Sequence, residues 1–434
     1  MPYARGFATI TKPSSFSMPA HRSSRRPLPP PSPGLFADVV LDPEREPVPD
    51  ALPIVAVRDE DEPEFLREVE RRERRRIRLR RRGVEHGTLS ALDPGGLVGP
   101  RPRRRRREVI AEQRWRAAQP IFLPGAAAAP RGLEERARRL HGRLLAGELA
   151  AWLRESGVAL ADDDAPCFDA ERDLARCVFD ARHGDGQWAK LGRLSTHPDD
   201  RSLRLRFSFG AEEADDASRD EARHHETTKL ARRLLPGADA LFAPREDGNA
   251  LERASRCAGI PLYPTQGIGY WNAPNGGARF HHDAFDEDAV GGQRGVLYWQ
   301  ATGRTLWLAL SIEDLGARVR EMIGWLTGGE LEWVRADVAP TDADLARLVE
   351  VTARRDVLLH ELALPGCGVL GPLVDRGPEF TELCADAGHA ILLEPGDALL
   401  LPNHGLDRTA MHSVFHAGGP VAYGLSWALR EDLR

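Results

Sequence analysis

A His-x-Asp pair in the C-terminal half of the 434-residue chain places two metal-ligating side chains side by side, His281 and Asp283. Alternate residues of an extended strand share a face, so these two side chains point the same way and His282 points the opposite way. The pair therefore offers two neighbouring ligands for one divalent ion. A third protein ligand has to come from a distant part of the chain.

The third ligand is predicted to be a histidine near the C-terminal end. His412 lies in a strand that follows a Pro-Gly-Asp turn, and we assign it as the ligand. His404, in the preceding loop, is the main alternative, and His416 shares a face with His412 but lies closer to the next turn. Two histidines and one carboxylate leave three positions open on an octahedral ion, as in the facial triad of non-haem Fe(II) oxygenases.

Strands joined by tight glycine turns are predicted on both sides of these residues. Residues 294–311, with the sequence RGVLYWQATGRTLWLALS, predict a strand pair joined by a Thr-Gly turn. Residues 390–405 predict two strands around a Pro-Gly-Asp turn, and residues 409–430 predict a closing hairpin through Gly418-Gly419. Consecutive strands of this kind are typical of an antiparallel sandwich or barrel.

The remaining folded part of the chain is predicted to be largely helical or mixed. A segment at 313–388 separates the strands and predicts two helices, at 314–326 and 342–355. Because long insertions between core strands often carry function, we expect it to border the site and to shape substrate specificity. Residues 111–255 predict a mixed α/β region, in which 191–210 form two strands around a His-Pro-Asp-Asp turn.

These pieces, in this order, resemble the jumonji-C and cupin-like oxygenases of the 2-oxoglutarate-dependent superfamily. The resemblance covers residues 263–312 and 389–430, about a fifth of the chain. It implies a double-stranded β-helix over 256–434 with the helical insertion at 313–388, in a chain that is mainly β with helical additions (α+β). It also implies Fe(II) as the cofactor, bound by His281, Asp283 and His412. The implied reaction is that of a dioxygenase, in which decarboxylation of the cosubstrate 2-oxoglutarate is coupled to hydroxylation of a substrate.

The residue that would anchor 2-oxoglutarate departs from the pattern of this family. Thr305 occupies the position of the usual lysine, and a threonine hydroxyl can donate one hydrogen bond but cannot neutralise a carboxylate. Arg279, on the face of the ligand pair, and Arg430, on the last strand, are the cationic candidates, although a two-residue turn at Gly418-Gly419 would point Arg430 outward. The aromatic candidates are Tyr298 as a cosubstrate contact, with Tyr423 and Trp427 as pocket residues.

Charge divides the chain into a basic arm and an acidic body. Residues 1–120 hold 25 basic and 17 acidic residues, a net of +8, whereas the whole chain has a net charge of −6. Residues 1–110 are rich in proline and arginine and are predicted to be disordered, with a helix at 64–82. The arm is expected to contact an anionic partner.

The sequence therefore favours three classes of function. The leading one is an Fe(II)- and 2-oxoglutarate-dependent oxygenase acting on an unknown small-molecule or protein substrate. The alternatives are a metal-binding cupin that takes no 2-oxoglutarate, and a non-enzymatic protein that binds through its basic arm. The five cysteines form no CxxC pair, which argues against a zinc knuckle or a disulfide framework and favours the cytoplasm, and no apolar run approaches a membrane span.

Overall fold

The computed structural model describes residues 55–56, 76–81, 84–90 and 111–432, apart from 168, 170, 181–185, 198, 211–219, 247 and 285–291. All of these residues belong to one unit, 31–434. The strands are β1 (Val55–Ala56), β2 (Arg76–Arg81), β3 (Val84–Ser90), β4 (Ile121–Leu123), β5 (Asp173–Asp180), β6 (Gln187–Arg193), β7 (Leu203–Phe209), β8 (Leu262–Asn272), β9 (Gly277–His281), β10 (Gln293–Thr302), β11 (Thr305–Ser311), β12 (Ala390–Leu393), β13 (Ala398–Pro402), β14 (Ala410–His416) and β15 (Ala422–Glu431).

Helices precede the β8–β15 region and fill the segment between β11 and β12. They are α1 (Leu133–Leu145), α2 (Leu149–Glu155), α3 (Glu221–Leu234), α4 (Ala250–Ala258), α5 (Ile312–Thr327), α6 (Glu332–Val338), α7 (Asp342–Ala353), α8 (Arg355–Ala363), α9 (Gly371–Val374) and α10 (Gly377–Asp386), with 3-10 helices at Ala238–Phe242 and Pro365–Leu370. The periodicity that predicts helices at 314–326 and 342–355 thus falls on α5 and α7.

Two largely antiparallel sheets form the centre of the described structure. The large sheet has the order β1-β4-β13-β10-β15-β8-β7-β6-β5, and the small sheet has the order β12-β11-β14-β9. Among the described strands of the large sheet, only β1 and β4 pair in parallel. The described part of the chain is therefore a mixed α/β structure dominated by antiparallel sheets.

Apolar residues fill three layers around these sheets. Between the sheets lie residues from both, among them Val296, Trp307 and Val414. The outer face of the large sheet packs against α1, α3 and α4, and the outer face of the small sheet packs against the helices between β11 and β12. Because both faces of each sheet are covered, long stretches of β10, β11 and β15 are buried on successive residues.

The three strand pairs predicted around glycine turns near the site are not hairpins. β10 and β11, β12 and β13, and β14 and β15 each join one strand of the large sheet to one of the small sheet. At each corner a glycine takes a positive φ, 67° at Gly303, 102° at Gly396 and 93° at Gly418. The hairpin predicted through Gly418-Gly419 is therefore wrong, because a crossing lets the apolar inner faces cover each other, whereas a hairpin would leave both strands in one sheet. The strands predicted within 294–311 and 390–405 are present, but each pair is divided between the two sheets.

This correction changes the predicted register around the candidate ligands. A hairpin at Gly418-Gly419 would pair His412 with Leu425. In the structure His412 lies between Ala309 and His281 in the small sheet, whereas Leu425 belongs to the large sheet. By contrast, the predicted pair at 191–210 is an antiparallel hairpin, β6 and β7.

The helix predicted at 64–82 is wrong where the structure describes it. Residues 76–81 form strand β2, which pairs antiparallel with β3. Ile77 and Leu79 are buried while Arg78 and Arg80 are exposed, and this period of two overrides the helix propensity of the arginines. The prediction of a disordered arm therefore fails for β1, β2 and β3, and the other parts of the arm, 1–54, 57–75, 82–83 and 91–110, lie outside the described residues.

Among the described residues no single helix combines enough length with enough apolar character to span a bilayer, and the sharply bent pair Arg355–Ala363 with Pro365–Val374 meets that test only when its two helices are taken together.

Candidate metal centre

Three side chains from two strands and one loop converge at the edge of the small sheet. His281 is the last residue of β9, Asp283 lies two residues later, and His412 lies opposite His281 on β14. Each offers one ligand atom, and the three atoms lie within 4.8 Å of one another. The Asp283 carboxylate lies 4.0 Å from His281 Nε2 and 3.8 Å from His412 Nε2. The structure thus brings together the residues that the sequence selects as ligands.

Hydrogen bonds hold the His281 ring and the backbone of Asp283. His281 Nδ1 lies 2.7 Å from the carbonyl oxygen of Arg279, so Nδ1–H donates there and Nε2 is the ring nitrogen that faces Asp283. Gln293 Nε2 donates to the backbone carbonyl of Asp283 at 2.9 Å. The loop that carries the carboxylate is thereby tied to the first residue of β10.

Burial sets the charge state of His412, which is only 4% exposed. Desolvation, reinforced by nearby His281 and His282, holds the pKa of His412 well below its usual value. Its ring stacks on Trp307 with centroids 5.2 Å apart and lies 4.1 Å from the His281 ring. A neutral imidazole with a lone pair available is the form that ligates a metal ion.

The donor set fits a divalent transition metal. Cis ligand atoms on an octahedral ion of this kind are about 3 Å apart, so the separations near 4 Å require the side chains to close by about 1 Å. His412 Nδ1 is buried and makes no hydrogen bond of normal geometry within the described residues, so no strong bond locks that ring against a small rotation. Two imidazoles and one carboxylate suit Fe(II) and related ions better than Mg²⁺ or Ca²⁺, which prefer oxygen ligands.

A cavity that is partly open to solvent leads from these three residues into the space between the sheets. Its other lining residues are Leu194, Tyr270, Asn272, Ala278, Val296, Tyr298, Trp307, Leu401, Val414 and Ser426. Among the described residues that line it, none is a lysine or an arginine. The wall is largely apolar, and its polar groups are neutral hydroxyls and an amide.

Tyr298 lines this cavity, whereas Thr305 lies behind its wall. The Thr305 hydroxyl accepts from the Trp307 indole N–H at 2.9 Å and donates to the Gln300 amide oxygen, which also accepts from the Tyr298 hydroxyl at 3.2 Å. Thr305 is fully buried and does not line the cavity. Its hydroxyl therefore fixes Trp307, the residue on which His412 stacks.

The two candidate arginines lie in different environments. The Arg279 side chain is exposed. Arg430 is 2% exposed and falls on the same side of β15 as Ser426, which lines the cavity, so the expectation that Arg430 points away from this side is wrong. The reason is that β15 pairs with β10 and β8 rather than with β14, which reverses the predicted phase. Arg430 is not among the residues that line the cavity.

The same reversal moves two predicted pocket residues. Tyr423 and Trp427 do not line the cavity but lie in the apolar cluster on the outer face of the large sheet. Ser426 takes their place on the inner face. Nearby, Gly424 makes room for Tyr298, because a Cβ there would lie 2.0 Å from the Tyr298 hydroxyl.

The two alternative third ligands are engaged elsewhere. His404 Nε2 lies 2.8 Å from the Trp115 carbonyl oxygen, and its ring packs edge-on against the Trp115 indole. His416 Nε2 lies 2.6 Å from the Pro420 carbonyl oxygen. Neither histidine belongs to the three-residue cluster.

Sequence reasoning missed the cavity residues Tyr270, Asn272 and Ser426. Tyr270 and Asn272 alternate along β8, and this period of two is a signal that was available. For Ser426 the alternation of residues along β15 was visible, but the predicted hairpin at Gly418-Gly419 assigned the wrong set of alternate residues to the inner face. Leu194 follows β6, far from the other lining residues in sequence, and carried no signal.

Comparisons with known proteins give only weak similarities. No family model and no curated protein matches the chain. Among solved structures it is similar to AviO1 from Streptomyces viridochromogenes Tue57, with 12% identity and a TM-score of 0.28 over 75% of this chain and 95% of that chain. It is also similar to YcfD, a ribosomal oxygenase from Escherichia coli, with 15% identity and a TM-score of 0.20 over 61% of this chain and 41% of that chain.

A structure of Escherichia coli YcfD in complex with cobalt and 2-oxoglutarate also matches, with 15% identity and a TM-score of 0.18 over 60% of this chain and 40% of that chain. The chain thus spans about two fifths of the YcfD chains that it matches. At TM-scores this low, the similarities carry no argument about fold or activity.

Proposed function

We propose that the chain is a non-haem Fe(II)-dependent oxygenase whose metal is held by His281, Asp283 and His412. The observation that carries this proposal is the convergence of their three ligand atoms within 4.8 Å at the mouth of a cavity. Fe(II) bound in this way supplies the activation of dioxygen. The protein contributes the orientation of the ligands and a largely apolar wall.

The strand order supports a double-stranded β-helix as the scaffold. Among β8 to β15, the strands β8, β10, β13 and β15 lie in the large sheet, and β9, β11, β12 and β14 lie in the small sheet. The candidate ligands stand at the end of β9 and near the start of β14, which are antiparallel neighbours. Strands from distant parts of the chain therefore deliver both imidazoles to the same end of the small sheet.

The cosubstrate in this proposal is 2-oxoglutarate, which would enter the cavity beside the triad. Tyr298 lines the cavity, and burial raises the pKa of its hydroxyl well above the usual value, so the hydroxyl stays protonated. Its proton is donated to the Gln300 amide oxygen, and a cosubstrate carboxylate would have to compete with that acceptor. Tyr270, Asn272 and Ser426 line the same cavity and carry further neutral polar groups. A carboxylate held in this way would be hydrogen-bonded rather than paired with a cation.

A second candidate is a metal-dependent enzyme of the same scaffold that takes no 2-oxoglutarate. The cavity lining favours it, since none of the described lining residues is a lysine or an arginine. A buried carboxylate without a cationic partner is costly, whereas an uncharged substrate would fit this wall without that cost.

Metal binding is tested first, with Co(II) as a spectroscopic probe on the full chain. We expect saturable binding with a visible absorption band, and a loss of affinity of about 100-fold or more in His281→Ala and in His412→Ala, because each removes a ligand. His404→Ala is the matched control and should bind Co(II) like the unaltered chain. Equal binding by all four proteins would exclude this centre.

The cosubstrate is tested on the same proteins with Fe(II). Succinate formed from 2-oxoglutarate by the unaltered chain and by His404→Ala, but not by His281→Ala, would support the first candidate. Co(II) binding that 2-oxoglutarate does not perturb, together with no succinate, would favour the second candidate.

A further inference from the structure

The ladder between the two ligand-bearing strands is irregular at the ligands themselves. His412 pairs with His281 and Val414 pairs with Ala278, so two steps on β14 face three steps on β9. The extra residue makes a β-bulge that leaves Arg279 and Phe280 opposite Ser413. Bulges re-aim side chains and leave a backbone group outside the ladder.

A carboxylate from the segment between β11 and β12 accepts a hydrogen bond from a backbone N–H at this bulge. The Phe280 N–H donates to Asp375 Oδ1 at 3.0 Å, directly before the ligand His281. Ser413, directly after the ligand His412, donates through its hydroxyl to the Ala278 carbonyl at 3.2 Å. The side chains of Asp375 and Ser413 therefore provide the hydrogen bonds at the bulge that the regular sheet ladder would otherwise make.

One arginine from the N-terminal hairpin joins these two closures. Arg81, the last residue of β2, donates to Asp375 Oδ1 at 3.0 Å and to the Ser413 hydroxyl. Its guanidinium carbon lies 4.0 Å from the centre of the Phe415 ring. The Arg81 and Asp375 side chains are 3% and 5% exposed, so this pair is shielded from water.

We propose that Arg81 is a positioning residue of the metal centre, which holds His281 opposite His412 by closing the β9 bulge with Asp375 and Ser413. This inference rests on the proposed function, since it assumes that the histidines bind a metal. It assigns the N-terminal hairpin a role at a site that lies 200 residues or more further along the chain. Ile77 and Leu79 on β2 and Leu89 on β3 anchor the hairpin in the apolar layer outside the small sheet.

At the Arg81–Asp375 ion pair, an effect on protein stability can be separated from an effect on the position of the metal ligands. Replacing a buried ion pair by apolar residues of similar volume is often neutral for stability, whereas removing one partner leaves a buried charge. The double variant Arg81→Met with Asp375→Leu should therefore stay folded. It loses the hydrogen bonds to Phe280 and Ser413 that close the bulge.

The experiment compares Co(II) binding by full-length variants. We expect the double variant to bind Co(II) about 10-fold or more weakly, with a shifted visible band, because outer-shell partners of metal ligands typically contribute 10–100-fold to affinity. Arg81→Lys should fall between the double variant and the unaltered chain, since its single ammonium cannot span both acceptors. Arg78→Met is the matched control, because Arg78 lies on the same strand but is exposed and pairs with Glu85.

Ser413→Ala keeps the ion pair and removes only the hydroxyl, so it tests the inference even if the double variant does not fold. A several-fold loss of Co(II) affinity is expected. Unchanged affinity and spectrum in every variant that folds, which means in Ser413→Ala alone if the double variant does not fold, would overturn the inference while the proposed function stands. If the unaltered chain bound Co(II) no better than His281→Ala, both the inference about Arg81 and the proposed function would be overturned.

Discussion

Thr305 shows how a residue in a position expected to bind a ligand can act instead through the wall behind it. Its hydroxyl links the Trp307 indole to the Gln300 amide, and Trp307 supports the His412 ring. Desolvation makes an unpaired donor in such a place costly. The side chain that stands at the lysine position of the resembled family is therefore committed to a buried network.

We predict that Thr305→Val destabilises the protein by about 1–3 kcal/mol, because valine has the same shape but leaves the Trp307 N–H without an acceptor. The measurement is the free energy of unfolding in urea. Thr327→Val, at the exposed end of α5, is the control and should change it by less than about 0.5 kcal/mol. A similar small effect of both substitutions would show that the Thr305 network adds nothing to stability.

At the scale of elements, the glycine corners decide to which sheet each strand belongs. Gly303 has a φ of 67°, and a Cβ at this position would lie 2.7 Å from the Ala422 backbone. The corner therefore needs both the left-handed conformation and the absence of a side chain. The same crossing sends β11 into the sheet that carries His412.

We predict that Gly303→Ala destabilises the protein by about 2 kcal/mol or more, from the backbone strain and the contact with Ala422 together. Gly324→Ala is the matched control, since Gly324 is exposed within α5 and its Cβ would meet nothing within 4 Å. That control should stabilise by about 0.5–1 kcal/mol, because alanine favours a helix. Both effects are measured by urea unfolding, and a neutral Gly303→Ala would contradict the corner argument.

At the scale of the whole molecule, buried neutral histidines make stability depend on pH. Burial lowers the pKa of His86 to about 3, and Arg81 acts in the same direction. Burial likewise lowers the pKa of His389 to about 4. Below the unfolded pKa of 6.5, the unfolded chain binds protons that the folded chain does not, so these residues destabilise the fold progressively as the pH falls from 6.5 through the folded pKa values.

We predict that His86→Phe reduces this acid sensitivity. One unit of pH below 6.5 costs about 1.4 kcal/mol per such group, so at about pH 5 the contribution of His86 is about 2 kcal/mol. The measurement is the difference between unfolding free energies at neutral pH and at about pH 5, in which pH-independent effects of the substitution cancel. An identical difference in the variant and the unaltered chain would exclude His86 as a contributor.

The sequence alone determined what depends on local periodicity. Helical spacing predicted α5 and α7, and the His-Pro-Asp-Asp turn predicted the β6–β7 hairpin. Strand alternation predicted that His281 and Asp283 act together, and in the structure β9 ends at His281 and the loop after it carries Asp283. These features involve neighbours within a few residues, whose side-chain direction follows from the backbone period. Propensity failed only where packing opposed it, as in β2.

Tertiary structure decided which strands became neighbours, and with them the site. A glycine turn can join two strands of one sheet as a hairpin, or it can lead the chain from one sheet to the other. Which of these forms depends on whether the apolar faces of the two sheets can cover each other, and those faces consist of residues far apart in the sequence. That choice set the phase of β15, placed Ser426 rather than Tyr423 and Trp427 at the cavity, and separated His412 from His404 and His416. The contact of Arg81 with Asp375 and Ser413 is of the same kind, because only the folded chain brings three such distant residues into hydrogen-bond reach.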